Sequence, residues 1–181
     1  MLNRSLYLCL TFFCCLLACG VNRTAKIALT GENQEAGDLA LLAESTYAIK
    51  PRTFANVHQA YLMMRQAAED STQSAELNYK YLTLAARYAI WIAGNSDEKS
   101  TVSDYAERAM RLCNTAVGVD SSRVQAYYFR SIATGLFGQT NKMRGRSAMY
   151  AVRQDATTAS KIDPQLDGGG PFRILGALYL R

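Results

Sequence analysis

The sequence has few of the residues that most enzyme and metal sites require. It contains one histidine, His58, and no Cys-x-x-Cys pair in 181 residues. These counts do not support a His/Cys metal site, and a Ser-His-acid triad cannot be argued from one histidine without a partner. The glycine run at 168–170 lacks the Lys-Ser/Thr pair of a phosphate-binding loop. The sequence therefore gives no argument for an enzyme, a cofactor or a metal.

Prolines are also few, three in the whole chain, and no segment of useful length alternates with the period of a β-strand. Apolar residues recur at helical spacing instead, which predicts one all-α domain. A polar, basic connection is expected at 138–146, and Ser103 is a suitable N-cap for the fourth helix. The predicted helices cover residues 35–47, 53–70, 74–94, 103–118, 122–138 and 147–161.

The N-terminus carries the main targeting signal. Arg4 precedes an apolar run from Leu6 to Ala18, which is too short to span a membrane and is typical of a secretory signal peptide. The run ends in Leu16-Leu17-Ala18-Cys19, which resembles the lipobox of bacterial lipoproteins. An ordinary signal peptide followed by a chance cysteine is the alternative.

The lipobox resemblance implies that the leader 1–18 is removed and that Cys19 is acylated. Residues 19–34 would then form a tether, and Gly20 after the cysteine favours an anchor in the outer membrane, facing the periplasm. The leader would take three cysteines with it, so that Cys113 is the remaining free thiol. We expect Cys113 to be a buried small hydrophobic residue, not a reactive group.

A fingerprint of four residues at i, i+3, i+4 and i+7 recurs in the chain. It combines an aromatic residue, an aliphatic one, a small one and a second bulky one, as in the first helix of a tetratricopeptide repeat. The first-helix sets are Tyr81, Leu84, Ala85 and Tyr88; Phe129, Ile132, Ala133 and Leu136; and Phe172, Leu175, Gly176 and Tyr179. The matching second-helix sets are Ala109, Cys113 and Ala116, and Val152, Ala156 and Ala159.

These sets predict a helical-hairpin solenoid over residues 35–181. Equivalent positions lie 43 to 48 residues apart, against roughly 34 in the standard unit. The last unit begins with a clear break: Pro164 cannot continue a helix, the glycines at 168–170 allow a tight turn, and Pro171 suits the first turn of a new helix.

Positive charge concentrates in the C-terminal part. The chain has a formal charge of +5, and residues 123–181 hold nine Lys or Arg against three acids. Two arginines follow the seam aromatics of adjacent units, which predicts an anion or partner contact at Tyr127, Tyr128, Arg130 and Arg173. The alternatives are a solvated basic face, or arginines that pair locally with Asp155, Asp163 or Asp167.

The combination of lipobox, repeats and the terminal Ile-Asp-Pro…Gly-Gly-Pro-Phe-Arg-x-Leu-Gly-x-Leu-Tyr segment resembles one family. It is the T component (TatT family) of tripartite ATP-independent periplasmic (TRAP) transporters. The resemblance implies an all-helical lipoprotein that pairs with the transporter's substrate-binding protein and passes small organic acids or apolar ligands. It also implies that the chain stops within a repeat at Arg181.

Four other expectations accompany this interpretation. A general tetratricopeptide adaptor in envelope assembly, without a small ligand, is the main alternative, and an enzyme of unrecognised type is a further one. Homo-oligomers are possible, and no nucleic-acid partner is expected of an exported protein.

Overall fold

A computed structural model describes residues 32–70, 72–140 and 145–180. Within these ranges the chain is all-α, as predicted, and forms seven helices without a β-strand. Cys19, the leader 1–18 and most of the predicted tether lie outside the described residues, as does Arg181. The helices are α1 (Glu32–Ala48), α2 (Phe54–Glu69), α3 (Ala75–Gly94), α4 (Lys99–Val119), α5 (Val124–Thr140), α6 (Gly145–Ile162) and α7 (Leu166–Tyr179).

Each helix packs against the next one along the chain, and α3 also contacts α5, which in turn contacts α7. The first and third helices are joined by a stack of Tyr47 on Tyr88, with ring centroids 4.2 Å apart, and by an ion pair between Glu44 and Lys80. The odd-numbered helices therefore contact one another in chain order. Of the helices in the described ranges, none is long and apolar enough to cross a membrane.

The core combines small residues with a few large aromatic ones. Tyr61, Tyr79 and Tyr88 are among the largest fully buried side chains. Alanines lie where neighbouring helices touch, and their small side chains let the two backbones approach each other closely. The fully buried small residues include Ala85, Ala109, Cys113, Ala116, Ala133, Ala156 and Ala159, all of which the repeat pattern places in the seam.

Helix starts follow capping chemistry, with one correction to the predicted boundaries. Thr53 and Ser74 cap α2 and α3, since each side-chain oxygen accepts a hydrogen bond from a backbone N–H three residues on. Ser103 is not an N-cap but lies inside α4, which begins a turn earlier. Glu98 precedes that helix, where its carboxylate accepts hydrogen bonds from the hydroxyls of Ser100 and Thr101.

The break predicted at 164–170 is formed, and its left-handed part lies inside the span of α7, ahead of the regular helix that starts near Pro171. α6 ends before Pro164, and Asp167, Gly168 and Gly169 all have left-handed backbone, with φ of 51°, 63° and 82°. Two of these three positions are glycines, which adopt this conformation without steric cost. A Cβ at Gly170 would lie 2.6 Å from the Tyr128 hydroxyl oxygen, so the backbone approaches α5 closely here.

The packed face of α7 differs from the predicted one. Phe172 is 54% exposed and Tyr179 is 72% exposed, while a Cβ at Gly176 would meet nothing within 4 Å. The buried face instead contains Pro171 and Ile174, one residue earlier and two residues later than Phe172. The seam prediction was therefore wrong for Phe172, Gly176 and Tyr179: Pro171 and Ile174 pack toward the preceding helices, and these three side-chain positions point elsewhere.

Candidate ligand-binding groove

The four residues predicted to form one contact site do not form it. Arg130 donates two hydrogen bonds to the Asp155 carboxylate, at 2.8 and 2.6 Å, and a third to Asn114 Oδ1 at 2.8 Å. The pKa of Arg130 is raised, mainly by the hydrogen bonds from its guanidinium to Asp155. Asp155 is buried on α6, so the pair joins α5 to α6 inside the molecule.

Arg173 also binds groups close to it in the sequence. Its guanidinium donates to the carbonyl oxygens of Gly168 and Asp167, at 2.6 and 2.7 Å, and lies 3.3 Å from the Asp167 carboxylate. These contacts close the left-handed turn that starts α7. Arg173 therefore stabilises the turn, which is the local alternative that the sequence left open.

Tyr127 and Tyr128, the two tyrosines of the predicted contact site, have separate structural roles. Tyr127 donates to the carbonyl of Ser121, while Tyr128 is buried and donates to the Asp167 carboxylate at 2.7 Å. Burial, and then the hydrogen bond to Asp167, raises the pKa of Tyr128 to about 12. The predicted contact site is thus corrected to two separate structural networks, one around Asp155 and one around Asp167.

A different set of residues lines a groove between α3, α5 and the start of α7. This basic groove has a volume of about 430 Å³. Its walls combine cationic, polar and apolar side chains from the three helices and from Arg123, which precedes α5. The lining residues are Tyr79, Lys80, Thr83, Leu84, Arg87, Arg123, Gln125, Tyr128, Phe129, Leu166 and Asp167.

The cations of the basic groove are held in different ways. Lys80 forms an ion pair with Glu44 at 2.9 Å. The Arg123 guanidinium lies over the Tyr79 ring, 4.7 Å from its centroid, and the Arg87 guanidinium lies 5.6 Å from the centroid of the Tyr47 ring. Across the described part of the chain, neither of these two arginines forms an ion pair with a carboxylate.

Tyr79 fixes one wall of the groove. Its hydroxyl accepts a hydrogen bond from the backbone N–H of Ala126 at 3.0 Å and contacts the Gln125 side-chain oxygen at 3.5 Å. The hydroxyl thereby satisfies a first-turn N–H of α5, a group that has no partner within its own helix. Burial raises the pKa of Tyr79, so the hydroxyl stays protonated at neutral pH. The ring under Arg123 is therefore held between α3 and α5.

A second cavity lies between α5, α6 and α7, with a volume of about 600 Å³. Its walls are mainly apolar and include Ile132, Leu136 and Leu178. Ile132 and Leu136 were expected to close the seam between helices, but both are only half-buried and face this cavity.

Sequence reasoning missed Arg87, Arg123 and the buried role of Tyr79. One signal was available: Lys80 and Arg87 are seven residues apart, which places both on one helical face. Arg123 gave no such signal, because it precedes α5 and its place over Tyr79 depends on how two helices pack.

Neither known protein families nor curated proteins provide a match for this chain. Among the described residues, no group of three or more His, Cys, Asp or Glu side chains is placed to hold a metal ion. The sequence signals and the basic groove are therefore the features of this chain that bear on its function.

Proposed function

We propose that the chain is an envelope-anchored, periplasm-facing lipoprotein with a tetratricopeptide-like solenoid, and that it is the accessory component of a TRAP-type transporter. In this role it pairs with the soluble substrate-binding protein. A lipid attached to Cys19, in the motif Leu16-Leu17-Ala18-Cys19, anchors it to the membrane. Stable anchoring of this kind needs more than one acyl chain.

The observation that carries the proposal is the contact pattern of the helices. Each helix packs against the next one along the chain, and α3 also contacts α5, which contacts α7, as expected when helical hairpins stack. Such a stack offers an extended surface to a protein partner. The basic groove opens between α3 and α5, the first helices of two successive hairpins, and supplies a place for a small ligand.

Copurification tests the pairing. The full chain, expressed with its leader and extracted from the envelope, is passed over the immobilised substrate-binding protein of a TRAP operon from the same organism. We expect retention on this protein and none on a periplasmic binding protein of an unrelated transporter. Equal retention on both, or retention on neither, would contradict the transporter role.

A general envelope adaptor is the second candidate, favoured by apolar side chains at the surface. Phe172, Tyr179 and Leu180 on or beside α7 are exposed, as are Leu41 and Leu42 on α1. Such side chains suit a protein partner or a second copy of the chain. Copurification of envelope-assembly proteins in place of a substrate-binding protein would favour this role.

A further inference from the structure

We propose that an exposed patch, where α6 begins and α7 ends, binds the surface of an anionic phospholipid membrane and so orients the helical domain on it. This contact is separate from the lipid on Cys19. It rests on the proposed function in one respect, since the lipid anchor is what holds the patch near a membrane. The C-terminal patch consists of Arg146, Met149, Tyr150, Arg153, Leu178 and Tyr179.

The C-terminal patch combines one face of α6 with the last turn of α7. Its four residues on α6 are spaced i, i+3, i+4 and i+7, which places them on the same side of the helix. Leu178 lines a surface depression together with these four side chains. The Arg153 guanidinium lies 5.4 Å from the centroid of the Tyr179 ring. Cationic and apolar side chains of two helices therefore share one surface.

The apolar side chains of the patch are largely in contact with water. Tyr150 and Tyr179 are each 72% exposed, and Met149 is exposed as well. Leu180, which follows directly, is also exposed. Clustered exposed apolar side chains mark an interaction surface. Tyrosine, with an apolar ring and a polar hydroxyl, is enriched at the interface between membrane and water.

The charge of the patch favours an anionic surface as its partner. Within the described ranges neither Arg146 nor Arg153 forms an ion pair. The acids of this hairpin lie elsewhere: Asp155 is buried in its ion pair with α5, and Asp163 and Asp167 lie at the turn at the opposite end of both helices. A two-fold dimer through the patch would bring its arginines together, which disfavours a second copy of the chain.

A membrane surface fits this combination of side chains. Arginine can lay its aliphatic stem along apolar surface while its guanidinium reaches the lipid headgroups. Helical surfaces that bind membranes combine basic residues with large apolar ones in the same way. The lipid on Cys19 also makes the contact intramolecular, so that a weak interaction is enough to hold the patch on the membrane.

Quenching of tryptophan fluorescence by membrane lipid tests the inference. The chain has one tryptophan, Trp91, so the Trp91→Phe/Tyr150→Trp variant carries a single indole, at the patch. The acylated full chain is reconstituted into vesicles of phospholipids with brominated acyl chains, either phosphatidylcholine alone or an equal mixture with phosphatidylglycerol. We expect strong quenching in the anionic vesicles, and little in phosphatidylcholine or at about 1 M salt.

Absence of quenching in the anionic vesicles would overturn the proposal and would favour an acidic protein surface as the partner. Phe54→Trp in the same Trp91→Phe background is the control for position. Phe54 is also an exposed aromatic residue, but it lies at the start of α2. We expect little quenching there, and equal quenching at the two positions would contradict an oriented contact.

The variant Arg146→Gln/Arg153→Gln, made with the reporter at the patch, assigns the contact to these side chains. We expect the ratio of docked to undocked molecules to fall about thirtyfold, which corresponds to the roughly 2 kcal/mol that two arginines contribute near an anionic surface. Arg108→Gln/Arg111→Gln is the matched control, since it removes the same charge from exposed pairs on α4. Unchanged quenching in the first variant, or an equal loss in both, would overturn the assignment.

Two further measurements complete the test. Thermal unfolding establishes that the variants are folded, and Arg146→Lys/Arg153→Lys, which keeps the charge, should restore quenching. Acyl labelling of Cys19 is measured on the same preparations. If Cys19 is acylated and the reporter at the patch is not quenched, the patch proposal fails alone. If Cys19 is not acylated and added anionic vesicles still quench the reporter, the lipid anchor fails alone.

Discussion

The ion pair between Arg130 and Asp155 gives the sharpest test of the packing between α5 and α6. The two groups are joined by two hydrogen bonds, and their side chains are only 22% and 9% exposed. Asp155→Ala removes one charge and leaves the other largely buried, a change that costs about 3–5 kcal/mol in buried pairs. Arg130 keeps its hydrogen bond to Asn114 and some contact with water. We therefore expect a loss near the lower value, about 3 kcal/mol.

Thermal unfolding measures this loss. For a chain of this size, about 1 kcal/mol corresponds to a shift of roughly 2–4 °C in Tm, so Asp155→Ala should lower Tm by roughly 6–12 °C. Replacing both partners, as in Arg130→Met/Asp155→Leu, should recover much of the loss, because no buried charge is left without a partner.

Glu107→Ala is the matched control for burial. Glu107 and Arg111 also approach to 2.6 Å, but their side chains are 52% and 62% exposed. Exposed pairs of this kind contribute about 0–1 kcal/mol, so Tm should change little. If Asp155→Ala and Glu107→Ala lower Tm by the same amount, burial does not set the strength of the Arg130 pair and the reasoning is refuted.

Three further outcomes are expected. Gly170→Ala should lower Tm because the new Cβ would lie 2.6 Å from the Tyr128 hydroxyl oxygen, whereas Gly176→Ala, in open space, should not; equal effects would contradict this packing. Burial raises the pKa of Cys113 from 9.0 to about 12, so the unfolded thiol ionises first and the folded state should lose stability as pH rises from about 9 to about 12. Alkylation of Cys113 at pH 8 should require urea. Cys19→Ala should abolish acyl labelling, and a labelled variant would exclude the lipobox.

The helices were predictable because their signals are local. Apolar periodicity predicted six of the helices, and Pro164 with the glycines at 168–170 predicted the turn between α6 and the regular part of α7. The predicted helix boundaries were less accurate. α4 starts at Lys99, before Ser103, and α1 starts at Glu32, three residues before the predicted domain.

The face of α7 was not predictable from spacing alone. Phe172, Leu175, Gly176 and Tyr179 lie on one helical face, but Pro171 and Ile174 are the residues packed inward. A periodic pattern identifies a face without saying what lies opposite it. The rotation of α7 is set by the close approach of Gly170 to Tyr128, a contact between residues far apart in the sequence.

The charged residues of the candidate site could not be predicted from spacing alone either. Arg130 and Arg173 looked available for a ligand because of their repeated position, but each has an acid within reach, Asp155 or Asp167. A guanidinium that is satisfied inside the protein has few donors left to offer. Arg87 and Arg123 have aromatic rings beside them, and neither forms an ion pair with a carboxylate of the described ranges. The groups that folding places opposite an arginine therefore decide whether that arginine can bind an anion. For this reason the candidate site lies in the groove between α3 and α5 and not at the seam of α5 and α7.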